Sequence, residues 1–328
     1  MPWDSVPWFT EGGAEHSSEV ARVLGYAAFG GHEGTIGSAD LQVKALSSPA
    51  AKIQVMPGAC AILNRASGST YQAYAARLPT TDTVDIPGTG STARSDLIVA
   101  RIENPYSYGE TWPNPSDPKV GPYVFTRVIS GVPNTTKSVR QVTGNFSAIT
   151  LARIDIPANT SSITQAMIKD LREMANPRRQ RQVRYMHGHR TGGDSVGDVK
   201  LPAWEEFPQG CRWPIEIPPW ATRATIIATW SGLNQKNAKD SYGYLRARLG
   251  SATTLITNFD CDWEGTAQRH TFVGGGQIDI PASIRGTVQD GVLEGSGAVA
   301  YTGQLLADAG STMFFDIEFE EAPREDTF

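Results

Sequence analysis

Apolar residues recur along this chain with two periods. In HSSEVARVLGYAAFGG, residues 16–31, Val20, Val23, Leu24, Ala27 and Ala28 fall at i, i+3, i+4, i+7 and i+8, one stripe of a helix. Ser17 or Ser18 can cap its start, Glu19 suits the positive end of the dipole, and Gly30-Gly31 ends it. A second helical pattern lies at SITQAMIKDLREMAN, residues 162–176. Ser162 with Gln165 fits a capping box, and Ile163, Met167, Leu171 and Met174 share one face. Asn176-Pro177 stops it, because a residue before proline avoids the α region. A helix of roughly 14 residues is marginal alone in water. Burial of its four large side chains is worth roughly 6–10 kcal/mol at ~1.5–3 each, so it must pack. It can pack on its own sheet or on copies of itself around a symmetry axis; Lys169, Arg172 and Glu173 opposite the narrow seam suit a short coiled-coil junction.

Elsewhere the period is two. DLQVKAL alternates through Leu41 and Val43, AKIQVMPGACAIL reads as a hairpin turning at Pro57-Gly58, and STYQAYAARL places Tyr71 and Tyr74. RSDLIVARI, residues 94–102, is apolar on both faces, as in a strand covered on both sides. YVFTRVISG and FSAITLARIDIP supply further strands, and proline-rich 103–122 is a surface loop. The signature V-D-I-P (84–87), I-D-I-P (154–157 and 278–281) and I-E-I-P (215–218) marks four strand ends, since proline cannot donate to a ladder. Residues 213–328 hold seven strand candidates separated by turn signals at sandwich spacing.

The predicted fold is mainly β. An arm and helix (1–31) and an N-terminal β domain (32–161) lead to the junction helix (162–176), so two short helices in all. A basic, glycine-rich connector (177–212) then precedes a C-terminal antiparallel β-sandwich, jelly-roll-like (213–328). The arm carries Trp3, Trp8 and Phe9, which want burial, among prolines and glycines that oppose regular structure. Arginines 178, 179, 181, 184 and 190 either answer nearby carboxylates or contact an acidic neighbour.

Composition agrees. The 328 residues suffice for two cores, and 33 glycines and 21 prolines call for many turns. A net charge of −5 gives no reason to expect nucleic-acid binding. Cys60, Cys211 and Cys261 form no disulfide framework and no zinc spacing, and read as buried thiols. MPWDSVPWFTEGG is not a secretory signal, and no apolar run approaches the ~18 residues of a membrane span, so synthesis in a cytoplasm without membrane insertion is expected.

Catalytic signatures are absent: no phosphate-binding loop, dinucleotide fingerprint, H-E-x-x-H or G-x-S-x-G. His187 and His189 give half a metal site among arginines. Asp260, Asp262, Glu264 and Gly265 match the first half of a calcium loop, but position twelve is Thr271, so a solvated acidic hairpin is the reading and no metal or cofactor is assigned. Tyr242 and Tyr244 alternate on one strand face, and Trp263 stands between Asp262 and Glu264 in a polar turn. With Asp260 these residues make a candidate glycan platform, to be weighed against aromatic core packing, which suits Trp220 and Trp230.

Four segments in order carry a resemblance: HSSEVARVLGYAAFGGHEGTIGSADLQVKAL, AKIQVMPGACAI, ARSDLIVARIENP and ARIDIPANTSSITQAMIKDLREMANPR. Over roughly residues 15–180 the chain resembles minor tail, or baseplate, proteins of long-tailed phages infecting actinobacteria; 213–328 resembles their β-sandwich tips more loosely. The resemblance implies a virion tail-tip component without catalytic residues. The N-terminal domain would attach to other tail-tip proteins, the molecule would be a homotrimer or stand in a symmetric ring, and the distal domain would project toward the host surface; together with the candidate aromatic platform this makes adhesion to host cell-surface glycan the first reading. A purely structural ring or adaptor protein and a glycan-degrading tail enzyme are the other readings.

Overall fold

The computed structural model describes residues 15–142, 146–188, 194–196, 203–235, 239–251, 253–297 and 303–323. The aromatic arm, His189 and Arg190 lie outside them. The protein is mainly β, with several antiparallel sheets and, among the described residues, one α-helix. It divides into two compact units, with boundaries between Pro177 and Arg178 and between Glu321 and Ala322.

The first unit is built on the strand Arg94–Ile102, whose side chains are buried on both faces as its continuous apolar run requires. It pairs antiparallel with Val124–Val132 and Ala148–Ile156. Ile98, Ala100 and Ile102 join the larger core with Ile53, Ile62 and Leu151, while Leu97 and Val99 face a smaller one with Val139. The Pro57-Gly58 turn does not close a hairpin. Lys52–Val55 pairs with Val43–Ala50 and Asp82–Asp85, whereas Gly58–Leu63 pairs with Gly34–Thr35 and Ala73–Leu78. The turn carries the chain between two sheets, and Gly58 passes so close to Asp40 that a Cβ there would lie 2.6 Å from the Asp40 Cβ.

The helix Ser18–Ala28 forms as its cap predicts, with Ser17 Oγ accepting from Glu19 N at 3.1 Å. Its contact face differs from the predicted stripe. Val23 and Leu24 are exposed, and the helix instead lays Arg22 and Gly25 along the edge strand Ala73–Leu78. Arg22 Nε donates to Gln72 Oε1 at 2.6 Å, and its guanidinium sits over Tyr74.

Residues 162–176 are not a helix, so the predicted junction helix is overturned. A 3-10 turn, Gln165–Met167, leads into the edge strand Ile168–Asp170, which pairs with Ala148–Ile156. The remainder is a strap: Thr35 N donates to Glu173 O at 2.8 Å and Ala175 N to Thr35 O at 2.9 Å. Arg172, almost fully buried, is held by Asp170 and by the carbonyls of Ser38 and Asp40. Ile163 and Met167 drop into the larger core, Leu171 packs on the smaller one, and Met174 is buried beside Thr35. Backbone pairing with a nine-residue strand outweighs the weak propensity of a short isolated helix. These side chains are spent inside the unit, so they offer no seam to a symmetry axis.

The predicted connector is also overturned in part. Arg179–His187 is a strand of the second unit, a jelly roll of eight main strands flanked, among the described residues, by three short ones, Asp194–Val196, Glu205–Glu206 and Leu305–Ala307. In chain order the eight are β1 (Arg179–His187), β2 (Arg212–Glu216), β3 (Arg223–Gln235), β4 (Ser241–Leu249), β5 (Thr253–Cys261), β6 (Gln268–Asp279), β7 (Val288–Gly297) and β8 (Thr312–Glu320). One sheet has the order β1-β8-β3-β6 and the other β2-β7-β4-β5, all antiparallel. That interleaving, each sheet alternating early and late strands, is the double Greek key of a jelly roll. Arg178, Arg179 and Arg181 pair with Glu321, Glu320 and Asp316, so the basic run answers the acidic end of β8.

Ile226, Ala228 and Trp230 of β3 and Phe315, Ile317 and Phe319 of β8 meet Leu245, Ala247 and Leu249 of β4 in the sandwich core. Trp230 is fully buried and its Nε1 donates to Phe207 O at 3.2 Å. The four proline signatures close strands as predicted, and the isoleucine before each proline, Ile86, Ile156, Ile217 and Ile280, is buried. The three cysteines are buried free thiols.

Candidate functional site

β4 alternates buried and half-buried positions without a break, so Tyr242, Tyr244, Arg246 and Arg248 all stand on the outer face of the β2-β7-β4-β5 sheet. Their cross-strand neighbours are Asp260 and Asn258 on β5 and Ser296, Glu294 and Val292 on β7.

Glu294 organises the middle of this face. It is only 6% exposed, a costly place for a carboxylate without partners. Arg246 Nε donates to Oε2, and Arg248 Nη2 donates to Oε1 at 3.0 Å. Burial pushes the Glu294 carboxyl up, but hydrogen bonds and charge from Arg248 and Arg246 outweigh it and hold its pKa below the ordinary glutamate value. The Arg246 guanidinium also lies 4.2 Å from the centroid of the Trp204 ring, and Trp204 meets Tyr244 edge to face at 6.5 Å. Two aromatic rings are thus fixed beside a locked ion network.

Tyr242 belongs to a second group at the end of the same strand. Asp240 accepts from Tyr242 Oη at 3.2 Å through Oδ2 and from Trp263 N at 2.8 Å through Oδ1, clasping the turn after β5 to the start of β4. Burial first, then the negative charges of Asp240, Asp262 and Asp260, push the Tyr242 phenol up. Cys261 points inward between its two aspartates; burial and those charges push its thiol up to about 11. Trp263 is half-buried, and Glu264 accepts from Gln268 Nε2 at 3.0 Å.

The structure therefore joins Tyr242 and Trp263 through Asp240, sets Asp260 across the strand pair from Tyr242 with the charge of Asp262 nearby, and joins Tyr244 to Trp204 and, through it, to Arg246 and Glu294. Glu264 is turned to its own loop. Among the described residues, no three His, Cys, Asp or Glu side chains converge to hold a metal ion. His187 Nδ1 lies 2.8 Å from Thr312 Oγ1. Trp204, Arg246, Arg248, Glu294 and Asp240 were not foreseen. The alternation of YGYLRARLG carried the signal for both arginines, and the lone glutamate in GVLEGSG carried one for Glu294.

No protein-family profile matches this sequence, and no curated protein matches it. Solved structures align over most of the chain at low similarity. The structure of infectious bursal disease virus Gx strain shares 11% identity over 89% of this chain and 74% of that chain, with a TM-score of 0.25. The VP2 subviral particle of infectious bursal disease virus shares 11% over 89% and 75%, at 0.23. The mosquito-larvicidal Cry4Aa toxin from Bacillus thuringiensis shares 8% over 87% and 52%, at 0.24. At these scores the likenesses carry no argument about this chain.

Proposed function

We propose that this protein is a structural component of a phage tail tip: the first unit attaches to neighbouring tail proteins, and the jelly roll presents its β2-β7-β4-β5 face to a host cell-surface glycan. The ordered resemblance of residues 15–180 supports the attachment role. The observation that carries the adhesive role is the Trp204–Tyr244 pair held against Arg246 and Glu294. Rings fixed by neighbours offer flat apolar faces to sugar C–H groups at little entropic cost, and the rim of Asp240, Asp260 and Asp262 offers acceptors to hydroxyls. Several copies on one tail would multiply a weak single-site affinity by ~10²–10⁴. The work is binding, without turnover.

The test is binding of the purified full chain to isolated actinobacterial cell walls. Saturable binding that Tyr244→Ala weakens supports the reading. Absence of binding to every host wall tried returns the protein to a purely structural adaptor, and release of reducing sugar would make it an enzyme.

A further inference from the structure

The opposite sheet of the jelly roll has a different outer face. Across β1-β8-β3-β6 the register aligns five rows of outward residues. One end holds His187, Thr312, Ser231 and Thr271, a polar hydroxyl-rich row. Next come Tyr185, Phe314, Thr229 and Val273, then Val183, Asp316, Ile227 and Gly275. Arg181, Glu318, Thr225 and Gln277 follow, and the last row is Arg179, Glu320, Arg223 and Asp279.

Two properties of this face need explanation. The apolar residues of its middle rows, Val183, Tyr185, Ile227, Val273 and Phe314, are each between 40% and 66% exposed. Scattered exposed apolar residues are ordinary, but five within two adjacent rows of one sheet face, interrupted by Thr229 and Asp316, form a patch. The Tyr185 and Phe314 rings already touch, with centroids 6.2 Å apart. The end row, moreover, reads plus, minus, plus, minus across the four strands.

The geometry points to a second copy of this chain as the occupant, in an isologous pair whose two-fold axis runs parallel to the strands between β8 and β3. That rotation keeps each row opposite itself and reverses its order. Arg179 then faces Asp279 of the other copy, and Glu320 faces Arg223, so every charge in the row meets its opposite. Tyr185 faces Val273, Phe314 faces Thr229 with its methyl group, Val183 faces Gly275, and Asp316 faces Ile227. Asp316, in the middle, is drawn toward the charged end by Arg181, whose Nε donates to Oδ1 at 2.8 Å. A face with one sign of charge would suit a foreign partner; an alternating row suits its own reverse.

Size sets the strength. Four strands about 4.8 Å apart and nine residues of about 3.3 Å give roughly 570 Å² per copy. The pair buries roughly 1,100 Å², just above the ~1,000 Å² a specific interface needs. The association is therefore reversible, not obligate. It uses the sheet opposite the aromatic face and does not rest on the glycan reading.

Sedimentation velocity of the full chain over a wide concentration range tests this. The expected result is a monomer–dimer equilibrium. Val273→Asp abolishes the dimer while shifting the melting temperature of the dilute monomer by a few degrees at most, because the residue is exposed. Arg179→Asp weakens association about tenfold by setting two carboxylates face to face, a rim effect of about 1.4 kcal/mol. Arg179→Asp with Asp279→Arg restores it, since the reversed row is still complementary. A monomer at all concentrations, a stable three-copy mass, or a dimer indifferent to Val273→Asp overturns the proposal.

Discussion

Arg246 lies between two partners at once: its guanidinium stacks 4.2 Å from the Trp204 ring centroid while its Nε donates to the buried carboxylate of Glu294. The arginine thereby couples an aromatic surface to the interior of the sheet, so a change at either end is felt at the other.

Glu294→Ala leaves Arg246 and Arg248 without their shared acceptor. Loss of about 2–3 kcal/mol is expected, below the cost of a fully buried pair because the arginines are partly solvated. Urea unfolding at neutral pH measures it, and a change under 0.5 kcal/mol would show that the arginines find water instead.

The same carboxylate makes stability depend on pH. Its folded pKa lies below the ordinary 4.5, so the unfolded chain takes up the proton first. The contribution is complete above pH 4.5 and is lost as pH falls through the folded value. Glu294→Gln should therefore flatten the acid limb of a stability–pH curve while leaving the slope above pH 6 unaltered.

Trp204→Ala should weaken cell-wall binding at least about tenfold, because it removes one ring and releases Arg246. Its ring is only half-buried, so melting should shift by a few degrees at most. Trp263→Ala, in a turn clasped through backbone, should act less strongly. Equal effects of the two substitutions would move the binding site toward the acidic turn.

Gly34→Ala should disrupt the strap. Gly34 has φ +146°, and a Cβ there would lie 2.2 Å from Glu173 O. The strap must shift, breaking the bonds between Thr35 and residues 173–175, at a cost of about 2 kcal/mol or more. Ile163→Ala, in the core above it, should cost about 2–4 kcal/mol. Amide exchange at Ala175 would report the strap opening in the first variant and not in the second.

Cys60 should resist thiol reagents in the folded protein at pH 8. Burial first, then the charge of Asp40, pushes its thiol up to about 12, and the residue is only 3% exposed. Rapid labelling without denaturant would show that the first unit opens on the reagent's timescale.

Local pattern determined much of this protein. The apolar run of 94–102, the alternation of 241–249, the four isoleucine-proline strand ends and the Ser17 cap each depend on neighbours a few residues away, and each is where the sequence placed it. Tyr242 and Tyr244 could be read as sharing a face for the same reason. Tertiary structure decided the rest. Ile163, Met167, Leu171 and Met174 satisfy a helical period, yet the strand at 148–156 offered better hydrogen bonds than a short helix, and sequence does not show which edge is open. The basic run after Pro177 became β1 because β8, more than a hundred residues later, presents matching carboxylates and an unpaired edge. Trp204, Arg246 and Glu294 likewise meet only after β7 is laid beside β4. Periodicity records which face a residue takes, whereas pairing across long separations is set by the competition among all strands for edges and core, and that competition is resolved only in the folded chain.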